Sequence, residues 1–290
     1  MKVGIFGSDY QKDKLPLIQR LFDKLEQLET VVYIQRDFYA FLTNILHYQP
    51  AIAGILDREF DLDMALSVGG DGTFLQTAVQ INRQHIPILG INTGRLGFLA
   101  DVGSDQIENT LDELLHHHYR VEERMLLKLH TEDAVFQGYN YALNEVAILK
   151  RDASSMITIH TFLNDEYLTS YWADGLVIAT PTGSTAYSMS VNGPIILPLC
   201  DNIVLSPVAP HSLNVRPLVI PGSYKITLNV ESRTHSFLVS LDGRSEIFST
   251  GVQLTVSKAD FVTLTIKRYH HTFYQTLHEK LMWGADKRVK

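Results

Sequence analysis

Residues 69–73 read Gly-Gly-Asp-Gly-Thr, between the apolar run MALSV and the helix-like stretch TFLQTAVQIN. A strand that gives way to glycines and then to a helix offers backbone N–H groups and a helix N-terminus, an arrangement that binds phosphate. Gly69, Gly70, Gly72 and Thr73 are therefore the candidate phosphate loop. Asp71 puts a negative charge at the mouth of that loop, and two readings compete for it. One is a helix cap, since Asp is a favoured N-cap and glycine permits the turn. The other is a base, because a carboxylate held there could take a proton from a hydroxyl or help place a metal-bound phosphate. A cap needs neither a strand end nor three glycines in the turn. The G-x-x-x-x-G-K-[ST] pattern is absent, and so is the third glycine of the dinucleotide fingerprint, so the turn is not a P-loop.

Residues 173–194, ADGLVIATPTGSTAYSMSVNGP, hold the second candidate. Thr180, Thr182, Ser184, Thr185, Tyr187, Ser188 and Ser190 place seven hydroxyls within eleven residues, interleaved with Gly183 and followed by Gly193. Such composition can mark an ordinary polar loop. Hydroxyls and bare backbone directly after an apolar strand also suit a sugar, a base or a diphosphate. Asn144-Glu145 interrupts the strand-like YALNEVAIL, and two polar groups there are costly if buried without partners. They either face solvent at an edge or meet a ligand. His116, His117 and His118 follow each other too closely to converge on one metal and suit the C-terminal dipole of the helix ENTLDELLHHH. His211 reads as a buried turn residue or a ligand contact, and Asp242-Gly243 as a hairpin turn. No G-x-S-x-G elbow is present, which removes the usual marker of a serine hydrolase.

The elements that must carry these residues divide into two textures. Up to about residue 115, apolar runs (KVGIF, TVVYI, DMALSV, PILGI) alternate with amphipathic stretches. Leu15, Ile18, Leu21, Phe22, Leu25 and Leu28 form one helical stripe. Strand and helix taking turns imply a parallel sheet with helical crossovers. From about residue 119 the chain becomes a series of β-branched and aromatic runs cut by turn residues, with Asn164-Asp165 and Lys258-Ala259-Asp260 at expected hairpin turns. That half is expected to be antiparallel β, as a sandwich or stacked sheets. The end, FYQTLHEKLMWGADKRVK, is expected to form a last helix with Phe273, Leu277, Leu281 and Trp283 on one face. The corresponding boundaries are an α/β domain at 1–118, an all-β domain at 119–269 and a tail at 270–290.

Composition narrows the class. A net charge of −7 without a long basic run argues against a general nucleic-acid binder. With Cys200 as the single cysteine, an intrachain disulfide is impossible and a cysteine zinc site is not expected. The start of the chain has too short an apolar run for a signal peptide, and no segment approaches 18 continuous apolar residues. The expectation is a cytoplasmic protein that binds no membrane.

Taken in order, GGDGT, GINTGRLGFLAD at 90–101, Asn144-Glu145, ADGLVIATPTGSTAYSMSVNGP, PHSLNVRPLV and LHEKLMW make the chain resemble the bacterial NAD kinases, from about residue 65 to its end. GGDG alone is shared with diacylglycerol and sphingosine kinases, so a lipid kinase is the nearest alternative, and a catalytically silent NAD(P) sensor the other. The resemblance implies an N-terminal Rossmann-like α/β domain, a C-terminal antiparallel β domain and a C-terminal helix returning to the first. It implies transfer of the γ-phosphoryl group of ATP to the 2′-hydroxyl of the adenosine ribose of NAD, giving NADP, with Mg²⁺ and a homodimer or homotetramer. Carried over by position, Asp71 is the proton acceptor, and Asp71, Gly72, Asn144 and Glu145 contact the dinucleotide. Asp174, Thr185, Ala186, Tyr187, Ser188 and Ser190 hold the NAD. No metal ligand follows from it, nor whether polyphosphate replaces ATP. Gln76, Trp172 and Arg244 depart from the usual pattern, which bears on the nicotinamide end and on NAD against NADH.

Overall fold

In the computed structural model, residues 1–9, 12–57, 60–131, 136–152 and 155–284 are described. The chain forms two compact units, Met1–Glu123 with Thr263–Lys290, and Arg124–Val262. In chain order the first holds β1 (Lys2–Gly7), α1 (Leu15–Gln27), β2 (Val31–Gln35), α2 (Arg36–Asn44), β3 (Gly54–Leu56), β4 (Met64–Gly69), α3 (Asp71–Ile81), β5 (Ile88–Asn92) and α4 (Ile107–Leu115). Strand β6 (Tyr119–Thr131) leads into the second unit. There follow β7 (Tyr141–Ala142), β8 (Glu145–Lys150), β9 (Ile157–Leu163), β10 (Glu166–Ala173), β11 (Gly175–Ala179), α5 (Tyr187–Ser190), β12 (Asn202–Val208), β13 (Leu218–Pro221), β14 (Ile226–Glu231), β15 (Ser236–Leu241) and β16 (Arg244–Ser249). Strand β17 (Leu254–Arg268) carries the chain back to the first unit, which ends in α6 (Phe273–Leu281).

Every residue of β4 is buried, as expected of the central strand of a parallel sheet covered on both faces. It pairs in parallel with β1 on one side and β5 on the other, and β2 and β3 extend the sheet beyond β1. The stripe of α1 packs there through Leu17, Ile18, Leu21, Phe22 and Leu25. The register sets Gly69 opposite Asn92. The loops that follow β4 and β5 therefore leave the same carboxyl edge side by side, where open α/β sheets bind ligands.

The second unit is a sandwich. One sheet runs β13-β12-β11-β8-β15-β16, all antiparallel. In the other layer β10 pairs β9, β9 pairs β14, and β14 pairs the start of β17. Alternate residues of both layers share one core, with Val146, Ile148, Leu176 and Ile178 from the first and Ile157, Ile159, Ile226 and Leu228 from the second. On the other face of the first sheet, Ala147, Val177, Ala179 and Val204 are covered by Tyr187, Val191 and Ile196.

Several sequence expectations change. Lys258-Ala259-Asp260 is no hairpin turn, because β17 runs straight through it. Ala259 and Phe261 are buried while Lys258 and Asp260 point out, so the polar residues are the outer face of one alternating strand. Strand β8 starts at Glu145, so Asn144-Glu145 stands at a strand entry and not inside a strand. The hydroxyl-rich segment is wound into a 3₁₀ turn (Thr182–Thr185) and α5 rather than an open loop. The last helix stops at Leu281, Met282 turns left-handed (φ 52°), and Trp283 lies half exposed beyond it. Residues 285–290 of the expected tail lie outside the described residues.

Candidate functional site

Helix α3 begins at Asp71 itself, and its N-cap, Gly70, has no side chain to offer. Asp71 is therefore not the cap. Its carboxylate instead reaches across to the loop after β5, where Oδ2 accepts from the Phe98 N–H at 3.0 Å. Oδ1 accepts from the N–H groups of Leu99 and Ala100, each at 3.0 Å. A Cβ on Gly97 would overlap Asp71 Oδ1, so glycine there is a packing requirement. Asn92 braces the same loop, with Nδ2 donating to Arg95 O at 2.6 Å and Oδ1 accepting from Gly94 N at 2.7 Å. Gly70 and Gly72 differ from Gly97. A Cβ on either would meet nothing within 4 Å, both residues are exposed, and Gly70 has an ordinary φ of −97°. Neither packing nor backbone strain demands glycine at these two positions. What they leave is open main chain at the first turn of α3, whose N–H groups have no intrahelical acceptor. Gly69 and Thr73 are buried, and Gln76 sits exposed on α3.

Lys280 and Asp101 complete this half, and sequence reasoning passed over both. Lys280, on α6, sits 3.4 Å from Asp71 Oδ2 and 4.5 Å over the Phe98 ring. Asp101 is buried and pairs with Lys267 at 2.6 Å and His271 at 3.4 Å. Burial pushes its pKa up, but Lys267 and His271 outweigh that and carry it down to about 2. Four consecutive residues, 98–101, thus hold the turn aspartate on one side and the root of the last helix on the other.

In the second unit, the pairing of Ala179 with Glu145 brings the segment after β11 beside Asn144 and Glu145. Thr180 Oγ1 donates to Leu143 O at 2.6 Å, and Thr180 N to Asn144 O at 2.9 Å. A Cβ on Gly183 would overlap Asn144 O. Asp242 lies on the other side, because Leu241 pairs with Val146. Its carboxylate accepts from the N–H groups of Leu143, Asn144 and Glu145 at 2.7, 2.8 and 3.0 Å. Arg244 donates to the carbonyls of Tyr139 and Tyr141. Asn144 is buried. Glu145 Oε2 is buried with no hydrogen-bond partner. Burial, then the Asp242 charge, raises the Glu145 pKa to about 8, against one main-chain N–H from Tyr187.

The hydroxyls divide by what they do. Ser184 Oγ bonds Pro181 O and Ile196 N, and Ser188 Oγ pairs with Ser206 Oγ at 2.9 Å in full burial. These knit the segment. Thr185 and Ser190 bond only to nearby carbonyls, of Thr182 and Tyr187, and with Ala186 and Tyr187 they keep some exposure. Asp174 stands apart from this group. It precedes β11, pairs with Lys150 at 2.6 Å, and lies at the opposite end of the β8–β11 pair from Glu145. Five strand residues put it roughly 16 Å away. His211 is exposed, and its ring lies tilted against exposed Trp172, with ring centroids 4.2 Å apart.

A glycine turn at the carboxyl edge of a parallel sheet and a hydroxyl-bearing segment on an antiparallel sandwich define a nucleotide-handling protein of α/β plus all-β architecture. Residues 3–119 match the family model described as ATP-NAD kinase N-terminal domain, and 143–268 the ATP-NAD kinase C-terminal domain. The NAD kinase of Bacteroides fragilis (strain YCH46) is 52% identical over 290 residues, covering 100% of both chains. An NAD kinase from Archaeoglobus fulgidus, solved in complex with ATP, is 26% identical with a TM-score of 0.76, covering 97% of this chain and 99% of its own. Yeast NADH kinase complexed with NADH shares the fold at a TM-score of 0.89 and 24% identity, covering 100% of this chain and 90% of its own. The chain belongs to the NAD kinase family and is a phosphotransferase. Neither domain model is that of a lipid kinase. Among the described residues no helix is long and apolar enough to cross a membrane.

Proposed function

We propose that the protein transfers the γ-phosphoryl group of ATP to the 2′-hydroxyl of the adenosine ribose of NAD, with Asp71 as the proton acceptor. The observation that carries this is the fixed carboxylate of Asp71 on three amides, beside the open first turn of α3. Oδ1, with two N–H donors, is the anchor. Oδ2, with one amide and the Lys280 ammonium, is the atom assigned to take the hydroxyl proton as that oxygen attacks phosphorus and ADP leaves. The phosphates lie on the amides at Gly70 and Gly72, with Gly69 and Thr73 shaping the turn beneath. Position and field supply most of the catalysis in such a transfer.

Asn144 and Glu145 contact the dinucleotide, with Thr185, Ala186, Tyr187 and Ser190 beside them. Ser188 shapes that segment from beneath, and Asp174 is a second, separate contact. Among the described residues no three His, Cys, Asp or Glu side chains are grouped to hold a metal. Mg²⁺ would arrive on the nucleotide phosphates, and Asp71, beside the open first turn of α3, would be the carboxylate that helps hold it there. When bound, the ion neutralises charge on the phosphoryl oxygens. The protein is inferred to act in the cytoplasm as a homodimer or homotetramer.

The test is purified protein with ATP, Mg²⁺ and NAD, with NADP read by a coupled dehydrogenase. Labelled ATP is offered in parallel to NAD and to diacylglycerol or sphingosine vesicles, and polyphosphate replaces ATP in a third arm. NADP formed from ATP is expected. Label in lipid alone would overturn the proposal.

A further inference from the structure

Two carboxyl groups meet at the entry to β8 in unequal surroundings. Asp242 has three main-chain donors on its two oxygens. Its own amide donates back to Glu145 O at 3.2 Å. Burial raises the Asp242 pKa, against the pull of those three amides and of Arg244. A carboxylate accepts three hydrogen bonds readily, whereas its protonated form would set an O–H against N–H groups. Asp242 is therefore the charged member. Glu145 has the opposite setting: one buried oxygen without a partner, one N–H from Tyr187 on α5, and the Asp242 charge from the β15–β16 turn. Burial, the Asp242 charge and the Tyr187 N–H are what act on it among the described residues; Arg244 acts on Asp242. Environments that push two carboxyls apart assign them different roles.

We propose that Asp242 is a positioning residue for the dinucleotide, fixing the Leu143–Glu145 turn and making Glu145 bind as a neutral carboxyl that donates a hydrogen bond. The ligand atom facing Glu145 is then an acceptor, a hydroxyl oxygen or a ring nitrogen. This rests on the dinucleotide being the ligand.

The first measurement needs no ligand. With the glutamate carboxyl carbons labelled with ¹³C, the Glu145 signal is the one lost in Glu145→Gln. It should titrate near pH 8, and titration in the ordinary carboxylate range would overturn the proposal. With aspartate carboxyls labelled instead, the Asp242 signal should step at that same pH, since coupled groups report each other's ionisation. No step would remove Asp242 from the account, even if Asp242→Asn fails to fold. The second measurement is NAD affinity against pH. Wild type should weaken by about tenfold per pH unit above pH 8 as the donor is lost. Glu145→Gln, whose amide is always a donor, should give a flat profile whatever its absolute affinity. Folded Asp242→Asn, checked by melting, should move the break to lower pH. A flat wild-type profile, a break persisting in Glu145→Gln, or one unmoved in folded Asp242→Asn would overturn the proposal. If the ligand-free titration holds and NAD does not bind, the ligand assignment fails and the carboxyl pair stands.

Discussion

The ammonium of Lys280 lies 3.4 Å from Asp71 Oδ2, so a residue 209 positions further along the chain pairs with the carboxylate that opens α3. The aromatic ring of Phe98 supports it from below, and Phe98 also meets Phe273 at the start of the same helix, with ring centroids 6.0 Å apart.

Lys280→Gln should therefore reduce kcat several-fold while changing stability by less than about 1 kcal/mol, since partly exposed pairs contribute little to folding. Lys280→Arg keeps the charge and should recover most of the rate. Steady-state kinetics with a melting curve on each variant decides it. Equal rates in all three would leave Lys280 a surface residue.

Asp71→Asn should lower kcat by about 10²–10⁴-fold, the usual contribution of a general base. It should also lower the melting temperature. An amide oxygen can keep two of the three N–H bonds, but its NH₂ then faces the third donor, and losing a charged hydrogen bond costs roughly 1–3 kcal/mol. The sequence alone suggests no loss of stability, since Asn caps a helix as well as Asp; the observed N-cap at Gly70 overturns that reasoning. A mutant with wild-type turnover would remove Asp71 from the chemistry.

The glycines separate cleanly. Gly97→Ala drives a methyl into Asp71 Oδ1 and should cost both stability and activity. Gly70→Ala places its methyl in open space at a permitted φ, so melting should change little. The ATP KM should nevertheless rise, because the methyl occupies ground a phosphate must approach. If Gly70→Ala binds ATP as wild type does, the phosphate loop lies elsewhere.

Asp101 predicts an acid limb. Its folded pKa of about 2 lies below the unfolded value of 3.8, so its contribution is complete above the unfolded value and is lost as pH falls toward 2. The shift corresponds to about 2 kcal/mol. Chemical denaturation from pH 6 to pH 2 should show this loss in wild type and a shallower decline in Asp101→Asn. Lys267→Met leaves the buried Asp101 charge with His271 alone, at 3.4 Å, and should cost up to about 3–5 kcal/mol near neutral pH. Identical acid profiles for wild type and Asp101→Asn would refute the assignment.

Local periodicity makes much of the fold legible in the sequence. The stripe on α1, the apolar run of β4 and the glycines after it are signals within one or two elements. Strands β12 and β16 are harder to see: Pro207 interrupts the first, and the second alternates polar residues along a sheet edge with Ile247 half exposed. For the candidate site, residue type is legible and partnership is not. Asp242 has a sufficient local explanation in its Asp-Gly turn, and its φ of 49° and that of Gly243, 83°, bear the turn out. Its three bonds to residues nearly a hundred positions earlier carry no local signature. The hydroxyl count likewise mixes two populations, since Ser184 and Ser188 are internal fastenings while Thr185 and Ser190 stay partly exposed.

Apart from the Lys280 ammonium, the grip on Asp71 is made of main-chain hydrogen at positions 98–100, and that places this part of it beyond the reach of side-chain exchange. Exchanging the side chains of Leu99 or Ala100 alters packing but deletes no donor, so an alanine scan would pass over the segment without registering it. Only a change in the backbone itself, an amide-to-ester replacement at Leu99 or Ala100 by chemical ligation, removes one donor and leaves the side chains intact. Such a depsipeptide series would titrate how firmly the carboxylate must be held, one donor at a time.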